Sequence, residues 1–325
     1  MKRKLAVLCM FGILSNAGLA AAQNAPLTEC DTLAGHPNDP QRKAPGIVPE
    51  KINSALAIPA CEKAVRQYPD DARLNFQLGR AYDKAGNLPL ALRQYQKTAE
   101  QGYVPGQNNL AYLYVIGRGV GKDDSQAVAL FRKAAAKGYS PAQSNLGTMY
   151  RLGKGVGKDP QEALKWYRLA AEQKYVLAQL NLGSMYFAGD GVAKDLHQAA
   201  VWYRLAAEQG DAQAQTNLGL MSVRGEGVSQ DDREGVKWYK LAAAQGNATA
   251  QSNLGTMYGM GRGVGQDFVH SYMWLSVAAP KLAGAEAKEA ATNLSIVEKN
   301  LNQAQLAQAK DLARQCASRA FKNCD

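Results

Sequence analysis

Residues 141–175 read PAQSNLGTMYRLGKGVGKDPQEALKWYRLAAEQKY, and their landmarks return at a fixed interval of 36 residues. The Asn-Leu pair of this stretch recurs as Asn109-Leu110, Asn145-Leu146, Asn181-Leu182, Asn217-Leu218 and Asn253-Leu254, and the tryptophans Trp166, Trp202, Trp238 and Trp274 keep the same spacing. A constant period of this length marks a solenoid, in which each unit buries the apolar face of its neighbour. Inside the unit, Ala142, Leu146, Met149 and Tyr150 lie at helical spacing on a first helix, where Gly147 lets a second helix come close. Gly153, Gly155 and Gly157 then supply a turn with positive backbone angles around one valine, Val156, expected to be buried. Asp159, Pro160 and Glu162 form a capping-box pattern that opens the second helix. The other copies pair Asp123 with Gln126, Asp195 with Gln198 and Asp231 with Glu234, while Asp267 precedes His270.

The second helix reads Ala163, Trp166, Tyr167, Ala170, Ala171, rings alternating with methyl groups, so the tryptophans are expected in the core. The repeated asparagines are expected to form a ladder that hydrogen-bonds the backbone of the adjacent repeat. The alternative is that they grip a ligand. The fold these patterns predict is all-α, a solenoid of stacked helix-turn-helix units.

The flanks read differently. Lys2, Arg3 and Lys4 precede the apolar run Leu5–Leu14 and the small residues Ala20, Ala21 and Ala22, a secretory leader over residues 1–22 with cleavage near Ala22. Removing it leaves 35 basic against 28 acidic residues, a net charge of +7, too diffuse for nucleic-acid binding. No apolar stretch is long enough for an integral membrane segment. Residues 23–50 hold five prolines and are expected to be extended, residues 51–71 to form a capping helix, and residues 284–325 to form C-terminal capping helices. The cysteines beyond the leader are Cys30, Cys61, Cys316 and Cys324. In an oxidising compartment three pairings are open, and local pairing favours Cys30 with Cys61 and Cys316 with Cys324, each stapling one end. Zinc is the rival use, but no Cys-x-x-Cys pair is present.

The Ala-Gln-x-Asn-Leu-Gly-x-Met-Tyr, Gly-x-Gly-Val and Trp-Tyr-x-x-Ala-Ala elements resemble Sel-one-like repeats, longer-turn relatives of tetratricopeptide repeats, in five 36-residue copies over residues 104–283. Residues 72–103, through Leu78, Gly79, Tyr82, Gly86, Ala91 and Tyr95, resemble the tetratricopeptide unit itself. The resemblance implies a right-handed α-solenoid whose concave groove is lined from the first helices. Carried onto this chain, those positions are Tyr112, Val115, Arg151, Leu180, Phe187, Leu220, Val223 and Arg224. Apolar anchors with scattered arginines suit a peptide or protein partner.

Catalytic chemistry finds no foothold. Each Gly-x-Gly follows a helix rather than a strand, none carries the Lys-Ser or Lys-Thr of a phosphate loop, and His36, His197 and His270 stand apart from one another. No catalytic, metal-ligating or cofactor-binding residue is assigned and no cofactor is expected. The reading is an exported, periplasmic or secreted, monomeric or weakly associating scaffold or regulator without enzyme activity. The alternative comes from cysteine-rich relatives linked to penicillin binding: a cell-wall-directed enzyme or binder of penicillin or peptidoglycan. Those relatives carry a cysteine pair in each repeat, whereas here that spacing occurs once, at Cys316 and Cys324.

Overall fold

The computed structural model describes residues 25–324, so the leader expected over residues 1–22 lies outside the described residues. Helices carry the chain, and no strand occurs among the described residues. Two compact units divide between Tyr103 and Val104.

The first unit contains α1 (Glu29–Ala34), α2 (Ser54–Gln67), α3 (Ala72–Lys84) and α4 (Leu88–Glu100). The proline-rich segment is therefore not uniformly extended: Thr28 and Asp31 form a capping box that starts α1, which satisfies backbone donors an extended chain would leave to water. A disulfide joins Cys30 on α1 to Cys61 on α2.

The second unit is the solenoid. Its repeats are the pairs α5 (Val104–Ile116) with α6 (Asp124–Ala136), α7 (Ser140–Leu152) with α8 (Pro160–Glu172), α9 (Val176–Ala188) with α10 (Leu196–Glu208), α11 (Ala212–Arg224) with α12 (Asp232–Ala243), and α13 (Ala248–Met260) with α14 (Phe268–Ala278). Two further helices, α15 (Gly284–Lys299) and α16 (Gln303–Ser318), pack on the last pair, and Cys316 is bonded to Cys324.

Local chemistry accounts for each boundary. Asp123, Asp159, Asp195, Asp231 and Asp267 accept the backbone N–H three residues on, at 2.8–3.1 Å. The reciprocal half of the box is diverted: Glu162 pairs with Lys165, and Glu234 takes Arg204 and the Trp238 indole. Each first helix from α7 to α13 ends at a left-handed glycine, Gly153, Gly189, Gly225 or Gly261. The second glycine of the turn lies against the preceding repeat, where a Cβ on Gly155, Gly191, Gly227 or Gly263 would come within 2.1–2.6 Å of the start of the earlier second helix. The Gly-x-Gly turn thus serves the stacking contact as well as the reversal of the chain. Its valines, Val156 included, are half-buried rather than buried.

Two packing expectations are corrected. Trp238 and Trp274 are 7% and 2% exposed, but Trp166 and Trp202 are only half-buried. The ring that fills every middle repeat is the adjacent tyrosine: Tyr167, Tyr203 and Tyr239 are 0–3% exposed. They face Gly147, Gly183 and Gly219, where an added Cβ would stand 2.5–3.0 Å from the ring. A tyrosine against a bare backbone packs more closely than an indole one residue away could. The asparagine ladder is also corrected: those asparagines are half-buried, and Asn109, Asn145 and Asn217 bond the side chains of Asn108, Asn108 and Gln213. The backbone of the neighbouring repeat is bonded by glutamine. Gln143, Gln179, Gln215 and Gln251 donate to the carbonyls of Ala135, Ala171, Ala207 and Ala243 at 3.0–3.3 Å. Gln173, Gln209 and Gln245 then donate to the first three of these amide oxygens at 2.7–2.9 Å.

Candidate functional site

The first helices α3, α5, α7, α9, α11 and α13 are all 13 residues long, so their registers can be compared position by position. Their second, sixth, ninth and thirteenth residues fall on one stripe, because spacings of three and four residues return to the same helix face. On α13 the chain covers this stripe with its own α15: Thr249 Oγ1 donates to Glu286 at 3.2 Å, and Asn293 donates to Thr256 Oγ1 at 3.1 Å. Met260, Gly259, Ile296 and Val297 line a crevice of about 120 Å³ beside that contact. On α3 the stripe is Arg73, Gln77, Arg80 and Lys84, and residues 25–51 lie along it.

Among the described residues no segment contacts the stripe of α5 to α11 in this way, and large apolar side chains stand in water. Tyr112, Ile116, Leu152 and Leu177 are 45–52% exposed. Between them run Asn109, Asn145, Asn181 and Asn217, all half-buried. A polar seam holds the floor of the stripe: Tyr167 shares a 2.8 Å hydrogen bond with Thr148, Tyr203 donates to Ser184 at 3.2 Å, and Asn145 donates to Asn108 at 2.9 Å. Burial pushes the phenols of Tyr167, Tyr203 and Tyr239 up, so they remain neutral donors at any physiological pH.

The structure separates the eight groove residues expected from the resemblance. Tyr112 and Arg224 are exposed on the stripe, and Leu220, at the ninth position of α11, is half-buried on it. Arg224 lies 3.8 Å from Glu226. Val115, Phe187 and Val223 occupy the twelfth position, one residue or about 100° away, and pack against the core between helices. Leu180 also packs against a core cluster, and Arg151 is half-buried rather than exposed on the stripe. The sequence carries a signal for this: where the twelfth position is Val223 the facing second helix has Gly235, whose Cβ would strike Val223 at 2.4 Å. Where it is Gly259, Ser271 fills the space instead. Ile116, Leu152 and Leu177 are the stripe residues that sequence reasoning passed over. Among the described residues, no group of histidine, cysteine and carboxylate side chains could hold a metal ion.

A family model described as Sel1 repeat matches residues 104–139, 140–175, 176–211, 212–247 and 248–279. The chain belongs to the Sel1 repeat family. Such repeats mediate protein–protein interaction, and proteins built from them are generally interaction scaffolds. The structure of this Sel1 repeat protein is similar to that of a protective antigen present in uropathogenic Escherichia coli strains and displaying an SLR fold, with 35% identity and a TM-score of 0.67. That likeness covers 82% of this chain and 57% of the antigen, so the chain spans little more than half the antigen's length. A Sel1 repeat protein from Oxalobacter formigenes is similar at 34% identity and a TM-score of 0.59, over 66% of this chain and 88% of that one. No curated protein matches the chain. Two disulfides fit an exported protein, and among the described residues no helix is long and apolar enough to cross a membrane.

Proposed function

We propose that this Sel1 repeat protein is exported and works as a monomeric, non-enzymatic scaffold or regulator that holds a peptide or protein segment along the first-helix stripe of α5, α7, α9 and α11. One observation carries the reading. The stripe is covered by the chain's own segments on α3 and on α13, and the same positions are open on the four helices from α5 to α11, where they display Tyr112, Ile116, Leu152, Leu177 and Leu220. Exposed apolar side chains in a row mark a surface that gains by being covered. Arg224 at the far end offers a carboxylate partner. The residues to test are therefore Tyr112, Leu152, Leu177 and Leu220, with Arg224, rather than Val115, Phe187 and Val223, which already have packing partners.

The experiment places a photoreactive benzophenone side chain at Tyr112, Leu152 or Leu177, and at Leu205 on the outer face of α10 as a control, in intact cells. The expected result is one recurring adduct from the three stripe positions and none from Leu205. Adducts from Leu205 alone would move the interaction to the second helices and overturn the proposal.

A further inference from the structure

The contact between α3 and residues 25–51 has the chemistry of a bound peptide rather than of a packed cap. Arg73 pairs with the Asp31 carboxylate, and its other nitrogen donates to the Ala25 carbonyl at 3.2 Å. Gln77 donates to Asp31 at 3.0 Å. Arg80 donates to the carbonyls of Ala34 at 2.7 Å and Ile47 at 2.5 Å, and Lys84 donates to that of Glu50 at 3.2 Å. Asp71 accepts the Ala25 N–H at 2.9 Å. These four α3 side chains occupy the stripe positions, and they read one carboxylate and a series of main-chain carbonyls. Apolar burial holds the segment much less. Leu27 and Val48 are 57% and 42% exposed, its buried apolar residues before Ile52 are Ala25, Cys30 and Ala34, His36 meets Phe76 edge-on, and the buried Asp39 accepts the Tyr103 hydroxyl. A covalent link, Cys30 to Cys61, supplies the retention that an apolar contact would otherwise give.

We propose that α3 carries a second peptide-binding site, selective for a segment that presents one carboxylate side chain to α3 from a short helical turn, and that residues 25–51 are its resident occupant. The proposal rests on the reading of the first-helix stripe as a binding face, but its site and its occupant are separate from those on α5 to α11. Tethered in cis, the occupant has an effective concentration on the order of millimolar, so a free acidic segment competes poorly until the tether is cut. The ligand class follows from the donors: guanidinium forks suit a carboxylate, and donors aimed at main-chain carbonyls make no demand on the other side chains beyond small ones at the buried Ala25, Cys30 and Ala34 positions.

The test uses the full chain carrying Cys30→Ser and Cys61→Ser, with a site-specific protease sequence inserted at the exposed Arg42-Lys43 so that the leading residues can be cut and washed away. A fluorescent peptide copying residues 25–35, with Cys30→Ser, is the probe, and anisotropy is the readout. Saturable binding is expected, weakened at least tenfold by Asp31→Asn in the peptide and kept within tenfold when every side chain except Asp31 is reduced to alanine. Three results would each overturn the proposal: loss of helical circular dichroism on cutting, which makes the segment an integral part of the fold; no binding to a cut chain that stays folded; or equal binding of a scrambled peptide. Because the probe addresses only α3, failure here leaves crosslinking from Tyr112, Leu152 and Leu177 to decide the other site independently.

Discussion

A methyl group added at Gly183 would stand 2.5 Å from the Tyr203 ring, which is itself 3% exposed and unable to step aside. Gly183→Ala is therefore an overpacking change, although alanine is the better helix former, and it should lower stability by roughly 1 to 3 kcal/mol in urea denaturation. An unchanged midpoint would show that the ring is mobile. A second residue sets a pH dependence. His36 is held down to about 3 by burial and by the nearby Arg80 charge, well below its ordinary 6.5. As pH falls below about 6.5 the unfolded chain takes up the proton first, so the stability linked to His36 is complete above that value and declines progressively toward pH 3. The side chain is half-buried and partly screened, which limits the loss to on the order of 1 kcal/mol between pH 6.5 and 5. His36→Gln should flatten this slope when urea midpoints are compared at pH 7 and 5, with the neighbouring Asp39 contributing the opposite sign, since burial raises its carboxyl. The choice between adjacent residues is what the sequence leaves open. Trp166 and Tyr167 both satisfy an apolar stripe, and only the bare backbone of Gly147 across the interface decides which is inside. Asn145 and Gln143 repeat with the same period, and only the 3.3 Å approach to the Ala135 carbonyl shows that glutamine makes the backbone link.

Helices, turns and caps were legible because each depends on groups a few residues apart, and the glycine and aspartate positions fall where the period places them. The aspartates act alone, however, since the reciprocal carboxylates are drawn to Lys165 and Arg204. Asp195→Ala should then cost about 1 kcal/mol, while Glu162→Ala should change stability by less than about 0.5 kcal/mol. Equal losses would mean that the full box forms in solution. The exposure of the first-helix positions was only half legible for the same geometric reason. One residue of phase separates Val115, packed against a core cluster, from Ile116 in water, and on α11 and α13 the residue at the same position is matched by Gly235 and Ser271 on the facing helices. The clamp on α3 was not legible at all: Gln77 meets Asp31, and Arg80 meets Ala34, across 46 residues of sequence.

For the solenoid unit, stability is the sum of what each repeat holds internally and what each interface adds, so the location of a defect should determine how the unit unfolds. Gly183 and Tyr203 belong to one repeat, whereas Gly191 has a positive φ of 71° and would place a Cβ 2.6 Å from Pro160 of the preceding repeat. Gly191→Ala strains the residue and separates the neighbours at once, which weakens the coupling between two halves of the array. Gly183→Ala weakens one repeat and leaves its interfaces in place. In urea the first change should lower the slope of the transition or split it in two, because the halves no longer expose their surface together. The second should shift the midpoint at constant slope. If Gly191→Ala shifts the midpoint alone, the Gln143, Gln179 and Gln215 ladder is strong enough to couple the repeats without the turn contact. Gln179→Leu added to Gly191→Ala would then split the transition, because that amide spans the same junction through the Ala171 carbonyl.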